Sequence, residues 1–264
     1  MELLSHLQMK FKIIFKALPY VVVFVVVKIV LHFVWGEFII LDGLMTAIIS
    51  TNIFLIGFIF SGILTDYKEA EKLPVEIVAS IEAINDEYFL IHKTHSDIEV
   101  IRAKSNLVEF VDALLKWLYK KKHLNDVLKK IQYLNIDFHH FTENLPPSVI
   151  SRIKFEKDAL RKNIIRIQSI RETSFASSVY TVVGIASYFI IFLLLFLKID
   201  RIDQSLIYVG FFAFILTYII FLIQDLDNPF DYYDKNQGPD EVSLYPIYEM
   251  QKRIISEINE INNK

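Results

Sequence analysis

The chain has 264 residues, of which 53% are hydrophobic and 14% aromatic, with 28 basic against 31 acidic side chains and no cysteine. The near-even charge excludes a broad cationic surface for nucleic acid. The lack of cysteine excludes disulfide scaffolds, thiolate metal sites and cysteine nucleophiles, and the aromatic content excludes a disordered chain.

A mean hydropathy of +0.38 is high for a soluble domain. Seven glycines and seven prolines favour long helices over turn-rich β structure. The apolar residues gather in four runs that reach the roughly 20 residues needed to cross a bilayer as a helix. The first covers about residues 13–35, with Lys28 inside it. Lys10, Lys12 and Lys16 lead it like the start of a signal peptide. The run is too long for one and no small-residue cleavage pattern follows, so it reads as a retained helix. The second covers about 38–64 and is dotted with Asp42, Thr46, Ser50, Thr51, Asn52 and Ser61. A span carrying such residues faces protein or water more than lipid. The third and fourth cover about 176–197 and 202–223.

Between the second and third runs lies a polar region with helical periodicity. Ile101, Val108, Val111, Leu115 and Leu118 recur at helical spacings, and Lys120, Lys121 and Lys122 follow where cations suit a helix C-terminus. Pro146 and Pro147 break the pattern, so a new helix starts there and runs to about Arg171. A tail helix at about Ser243–Ile261 carries Ile247, Ile254, Ile258 and Ile261. The organisation is thus all-α and polytopic. An N-terminal hairpin spans 1–64, a helical domain 65–173, a second hairpin 174–224, and an acidic loop with a tail helix 225–264.

Basic residues orient this arrangement. Eighteen lie between Thr65 and Ser174 and four after the fourth run, whereas the two short linkers within the hairpins hold none and two. The positive-inside rule then puts both termini and the helical domain in the cytoplasm, and few glycines with many Ile, Lys and Asn point to an AT-rich bacterial genome and so to a bacterial inner membrane.

Reactive constellations are absent from the sequence. There is no phosphate-binding loop, nucleophile elbow or zinc-protease motif, so an enzyme is not expected. His92 and His95 stand three apart with Asp97 and Glu99 nearby, but no second ligand cluster accompanies them, and an exposed loop is the simpler reading. Asp225 to Glu241 is rich in carboxylates. It reads either as a solvated acidic linker or as a calcium loop, although the EF-hand spacing is missing. Lys28 reads either as a functional intramembrane charge or as a snorkelling lysine.

The second run carries the most information. Ser50, Phe54 and Phe58 recur every four residues and share one helix face. Gly57 and Ser61 lie beside them as a small-xxx-small pair that lets another helix approach closely. Such a face is either ordinary helix packing or, in a ring of copies, a stack of apolar rings that gates by dewetting.

The segment Phe54-Leu-Ile-Gly-Phe-Ile-Phe-Ser-Gly-Ile-Leu-Thr65 resembles the second transmembrane helix of bestrophins, which are pentameric ion channels. Asp227-Asn-Pro-Phe230 resembles the Asn-Pro-Phe motif after the last bestrophin span. Glu241-Val-Ser-Leu244 and Glu249-Met250 are similar to the segment beyond the acidic loop. The layout of two hairpins around a large helical insert is similar too. Gly62-Ile-Leu-Thr-Asp-Tyr-Lys68 looks closer to bacterial bestrophin-like proteins than to animal members.

The resemblance implies a homopentamer whose five second helices line a narrow neck. By position, Phe54 and Phe58 match the two neck phenylalanines, and Ser50 stands where a third apolar neck residue is expected, making that level wetter. The resemblance implies small inorganic ions as cargo and the lipid bilayer and further copies of the chain as partners. Anions such as chloride are favoured by the breadth of the family. Aromatic ring edges are electropositive and agree with anions, whereas rings of Glu37 and Asp42 at the outer mouth favour cations. The animal calcium site is only partly matched. Asn228, Asp231 and Asp234 remain, but Tyr233, Lys235 and Asn236 replace acidic positions, and a lysine among ligands repels a cation. No cofactor is expected. A non-conducting membrane-anchored signalling or scaffold protein is the alternative from a different class.

Overall fold

The computed structural model describes residues 11–94, 100–141, 145–172, 177–232 and 241–262; for Asp137, His139, His140 and 177–180 only the backbone is described. These residues form eight helices: α1 (Lys12–Val34), α2 (Gly43–Thr94), α3 (Val100–Leu118), α4 (Leu124–Phe141), α5 (Pro147–Glu172), α6 (Ser177–Leu195), α7 (Ile202–Leu226) and α8 (Tyr245–Asn262). Among the described residues there is no strand. One isolated parallel bridge pairs Ile39 with Leu197. The fold is all-α.

The helices sort into two compact units. One holds Met1–Tyr67 and Ser174–Asn228, the other Lys68–Thr173 and Pro229–Lys264. The expected domain boundary after residue 64 falls inside α2, a helix of 52 residues in all. No glycine follows Gly62 in this helix, and Pro74 lies inside it without ending it.

In the first unit α1, α2 and α7 are long and apolar enough to cross a membrane, and α6 is apolar throughout its described side chains, Thr181–Leu195. The third apolar run, expected to reach Leu197, ends as a helix at Leu195. Alpha-helix is the form that satisfies every backbone group within one segment where water is absent. This explains why the valine-rich run Val21–Val27 is helical despite the strand preference of valine. Much of α1 remains uncovered by its own chain, as expected of a surface that meets lipid: Val22, Val23, Val26 and Val30 are exposed. The inner faces pack through Met45, Ile56, Ile59 and Ile63 of α2, Val183, Ile190 and Leu194 of α6, and Val209, Ala213 and Leu216 of α7. Helices α1 and α7 come close at Gly210, where an added Cβ would stand 3.3 Å from the Val25 side chain.

The second unit is an amphipathic bundle. Val127, Ile131, Leu134, Phe138 and Phe141 of α4 recur at steps of three and four and are buried, as are Ile150, Ile153, Leu160, Ile164 and Ile167 of α5. In α3 the expected stripe is buried at Val111, Leu115 and Leu118 and half-buried at Ile101 and Val108. Lys120 ends this helix in the left-handed region at φ 58°, while Lys121 N–H donates to the Lys116 carbonyl at 2.8 Å. That pattern closes a helix terminus by returning orphan carbonyls to the backbone. Ile247, Met250 and Ile254 bury the inner face of α8.

Candidate functional site

The apolar first part of α2 has two unlike faces. Met45, Asn52, Ile56, Ile59 and Ile63 are buried against the chain's own helices. On the other side Ser50, Phe54, Gly57, Phe58 and Ser61 are exposed, both phenylalanines at 71%. At 100° per residue the two sets lie roughly opposite each other about the helix axis. The aromatic stripe is therefore not part of this chain's core. An extra Cβ on Gly57 would meet nothing within 4 Å. The small pair Gly57 and Ser61 is thus uncovered among the described residues, and a close approach at a small residue occurs instead at Gly210.

The N-terminus of α2 is set by Asp42, whose carboxylate accepts the Met45 N–H at 2.8 Å as an N-cap. The helix starts at Gly43, later than the expected Phe38. Before it, Phe38 and Ile39 N–H donate to the Phe196 carbonyl, and Lys198 N–H donates to the Ile39 carbonyl at 2.7 Å. The connection between α1 and α2 is thereby knitted to the connection between α6 and α7. Gly36 makes the turn out of α1 possible, because its φ of +83° is open to glycine and strained for other residues.

Lys28 organises these connections. It is fully buried, and its Nζ donates to the Leu195 carbonyl at 3.0 Å and the Leu197 carbonyl at 2.7 Å. These are carbonyls at the C-terminus of α6, where a cation is favoured. The same Nζ stands 2.7 Å from Glu37 Oε1. Lys28 is therefore neither a free intramembrane charge nor a snorkelling side chain. It is one half of an ion pair that also caps a helix.

This pairing corrects the expected outer-mouth charge. Glu37 is nearly buried, at 6% side-chain exposure, and is held by Lys28 and by His32 at 3.3 Å. Burial alone would raise its carboxyl, but the bonds from Lys28 and His32 outweigh burial and keep it below the ordinary value. It supplies no free negative charge. Asp42 remains exposed.

Two polar groups escaped sequence reasoning as a pair. Asn52 of α2 donates from its amide to Ser187 Oγ of α6 at 3.1 Å, both being buried. They stand 135 positions apart, so no local pattern links them; the available signal was an asparagine on the face opposite the phenylalanines.

The residues considered for calcium are differently placed. Asp231 is ion-paired with Lys120, whose ammonium opposes a cation at that carboxylate. The Asn228 side-chain oxygen is buried with no hydrogen-bond partner. Asp234 and His95 lie outside the described residues. Among the described residues no group of three or more His, Cys, Asp or Glu is placed to hold a metal ion.

No family model matches the sequence, and no curated protein sequence matches it. Solved structures do. A point variant of a bacterial bestrophin homologue from Klebsiella pneumoniae superposes with a TM-score of 0.80 at 14% identity, covering 94% of this chain and 98% of that one. The chain has the bestrophin fold. A second variant of the Klebsiella pneumoniae bestrophin homologue gives 0.77 at 15% identity over 92% and 99% of the two chains. A structure described as a membrane protein gives 0.79 at 13% identity over 90% and 97%. Three helices of membrane-spanning length and apolarity among the described residues, on this fold, support a membrane protein.

Proposed function

We propose that this protein is a bestrophin-like ion channel, a homopentamer whose second helices line the pore and whose neck is formed by Ser50, Phe54 and Phe58. One observation carries this reading. On a bestrophin fold, the face of α2 bearing both phenylalanines is uncovered by its own chain while the opposite face is buried. A soluble core or an ordinary packing stripe would bury these rings. Five copies around an axis bring such faces together as stacked apolar rings that conduct or dewet with small changes in radius. Gly57 and Ser61 on the same face allow the copies to approach closely.

The cargo in this reading is a small anion such as chloride. The electropositive edges of Phe54 and Phe58 favour anions. The opposing acidic ring is weakened, because the Lys28 ammonium neutralises Glu37. Exposed Asp42 favours the second reading, a cation-conducting channel of the same fold. Both termini and the helical unit lie in the cytoplasm of a bacterial cell, with the chain in its inner membrane. The protein works without calcium gating and is not an enzyme.

Single-channel current from purified protein in a planar bilayer under a KCl gradient tests this. The expected reversal potential lies near the chloride equilibrium value, and Phe54→Ala and Phe58→Ala raise conductance. Reversal near the potassium value establishes the cation reading and moves attention to Asp42. Silence of the wild type and of both alanine variants, with a monomer or dimer in detergent, overturns the channel and leaves a signalling or scaffold protein.

A further inference from the structure

Several buried polar atoms of the first unit have no hydrogen-bond partner: Asn52 Oδ1, Ser205 Oγ and Thr217 Oγ1. One of them is attached to the candidate neck. Asn52 precedes Phe54 by two residues and Phe58 by six. At 100° per residue it points about 160° and 120° away from them around the helix. Its surroundings are aliphatic, with Ile56 and Ile59 following it on α2 and Val183 and Ile190 flanking Ser187 on α6.

An amide in such a place is a poor choice for stability alone. Ser187 offers one hydroxyl. Whichever way the amide is turned, one of its ends pairs with that hydroxyl and the other stays unpaired. Leucine has about the same shape and leaves no orphan, and replacing buried polar groups by apolar ones of the same shape is often neutral or stabilising. What the amide supplies is direction. Aliphatic contacts between two helices tolerate a range of rotations about the helix axis, whereas a hydrogen bond holds one. A single buried asparagine fixes register in coiled coils in the same way, at a cost in stability.

We propose that Asn52 and Ser187 form a positioning pair that sets the rotation of α2 about its own axis, and through it how far Phe54 and Phe58 project into the pore. This rests on the reading of that face as the pore lining. Side chains reach about 5–6 Å from a helix axis, so a rotation of about 20° moves a ring by about 2 Å. In a neck of stacked rings a shift of that size separates a wet passage from a dry one. Ser187 on α6 thereby links movements of the second hairpin to the neck.

The chain has no cysteine, so a single Ser50→Cys substitution is a unique reporter of the α2 face. The reaction rate of this thiol with a water-borne methanethiosulfonate is measured together with single-channel open probability. The backgrounds are wild type, Asn52→Leu, Ser187→Ala, Ser187→Thr and the Asn52→Leu/Ser187→Ala double variant. Asn52→Leu and Ser187→Ala are expected to change both readouts by about threefold, the strength of one hydrogen bond between membrane helices. The double variant is expected to go no further than either single. Ser187→Thr keeps the hydroxyl and restores wild-type behaviour. Ser187→Ala removes one oxygen and keeps the proposal testable if Asn52→Leu does not assemble. Unchanged reaction rate and open probability in Ser187→Ala, with Phe54→Ala and Phe58→Ala still altering conduction, overturn the positioning role alone. A thiol that reacts in no background, with conduction indifferent to both phenylalanines, overturns the pore reading and this proposal with it.

Discussion

Each unit of the molecule buries a lysine, and the two solve the same problem differently. Lys28 of the first unit is closed in on every side, with Glu37 also buried and two carbonyls of α6 completing its bonds. Lys104 of the second unit is equally buried but reaches Glu257, which is 41% exposed and also accepts a bond from Asn85 at 3.0 Å. The first pair is shielded from solvent by its own chain, so its donors are met inside the protein. The second keeps one partner at the surface, where solvent supplies part of the compensation. The difference teaches that the apolar unit tolerates charge only as a complete, closed set, whereas the polar unit needs only one anchored end.

The sharpest way to break this comparison is Lys28→Met. It leaves the Glu37 carboxylate and two carbonyls without their partner, and removal of one member of a buried pair costs about 3–5 kcal/mol. A large drop in thermal stability in detergent is expected. The double variant Lys28→Met/Glu37→Leu is expected to recover part of it, because no unpaired charge is left behind. Recovery to no extent shows that the α6 carbonyls, not Glu37, dominate.

Lys104→Met is expected to cost less, about 1–3 kcal/mol, because Glu257 can turn to water. Equal losses in the two variants remove the distinction between the units. Acid titration separates them again. Burial alone raises the Glu257 carboxyl, but bonds from Lys104 and Asn85 outweigh it and hold the group below its ordinary 4.5. A carboxyl depressed on folding contributes stability above its unfolded value and loses it as pH falls through the folded value. The hold of α8 should therefore weaken below about pH 4.5, seen as faster amide exchange in Tyr245–Asn262, and Glu257→Gln should abolish this dependence.

The smallest effect belongs to the surface of the second unit. Arg166 forks onto Glu69 at 2.9 and 3.0 Å, both about half exposed. The guanidinium pulls the Glu69 carboxyl below its ordinary value. Arg166→Ala is expected to cost about 0.2–1 kcal/mol by double-mutant cycle, and less at high salt. A larger loss would show that this pair is shielded in the assembled protein.

Much of the fold was legible because it is local. An apolar run of the right length became α1, and the run at 202–223 became α7. The paired prolines started α5, and helical spacings marked the inward faces of α3 and α8. Spacing also placed Ser50, Phe54 and Phe58 on one face. It was silent on whether that face is covered, since this depends on α6 and α7, more than 100 residues downstream. Glu37 illustrates the limit well. By position it is a hairpin carboxylate at a mouth, and it became a buried partner because the path of Trp35 and Gly36 turns it back onto Lys28.

What can be read from residue order is what neighbours decide: helix starts and stops, the phase of each apolar stripe, the side of the membrane that basic residues favour. Long-range packing decides which charges are neutralised, which asparagine finds a hydroxyl 135 positions away, and which aromatic face is left uncovered. The reason is physical. Helical periodicity is set within a few residues by backbone hydrogen bonds, whereas burial and charge pairing are properties of surfaces that exist only after distant helices have come together.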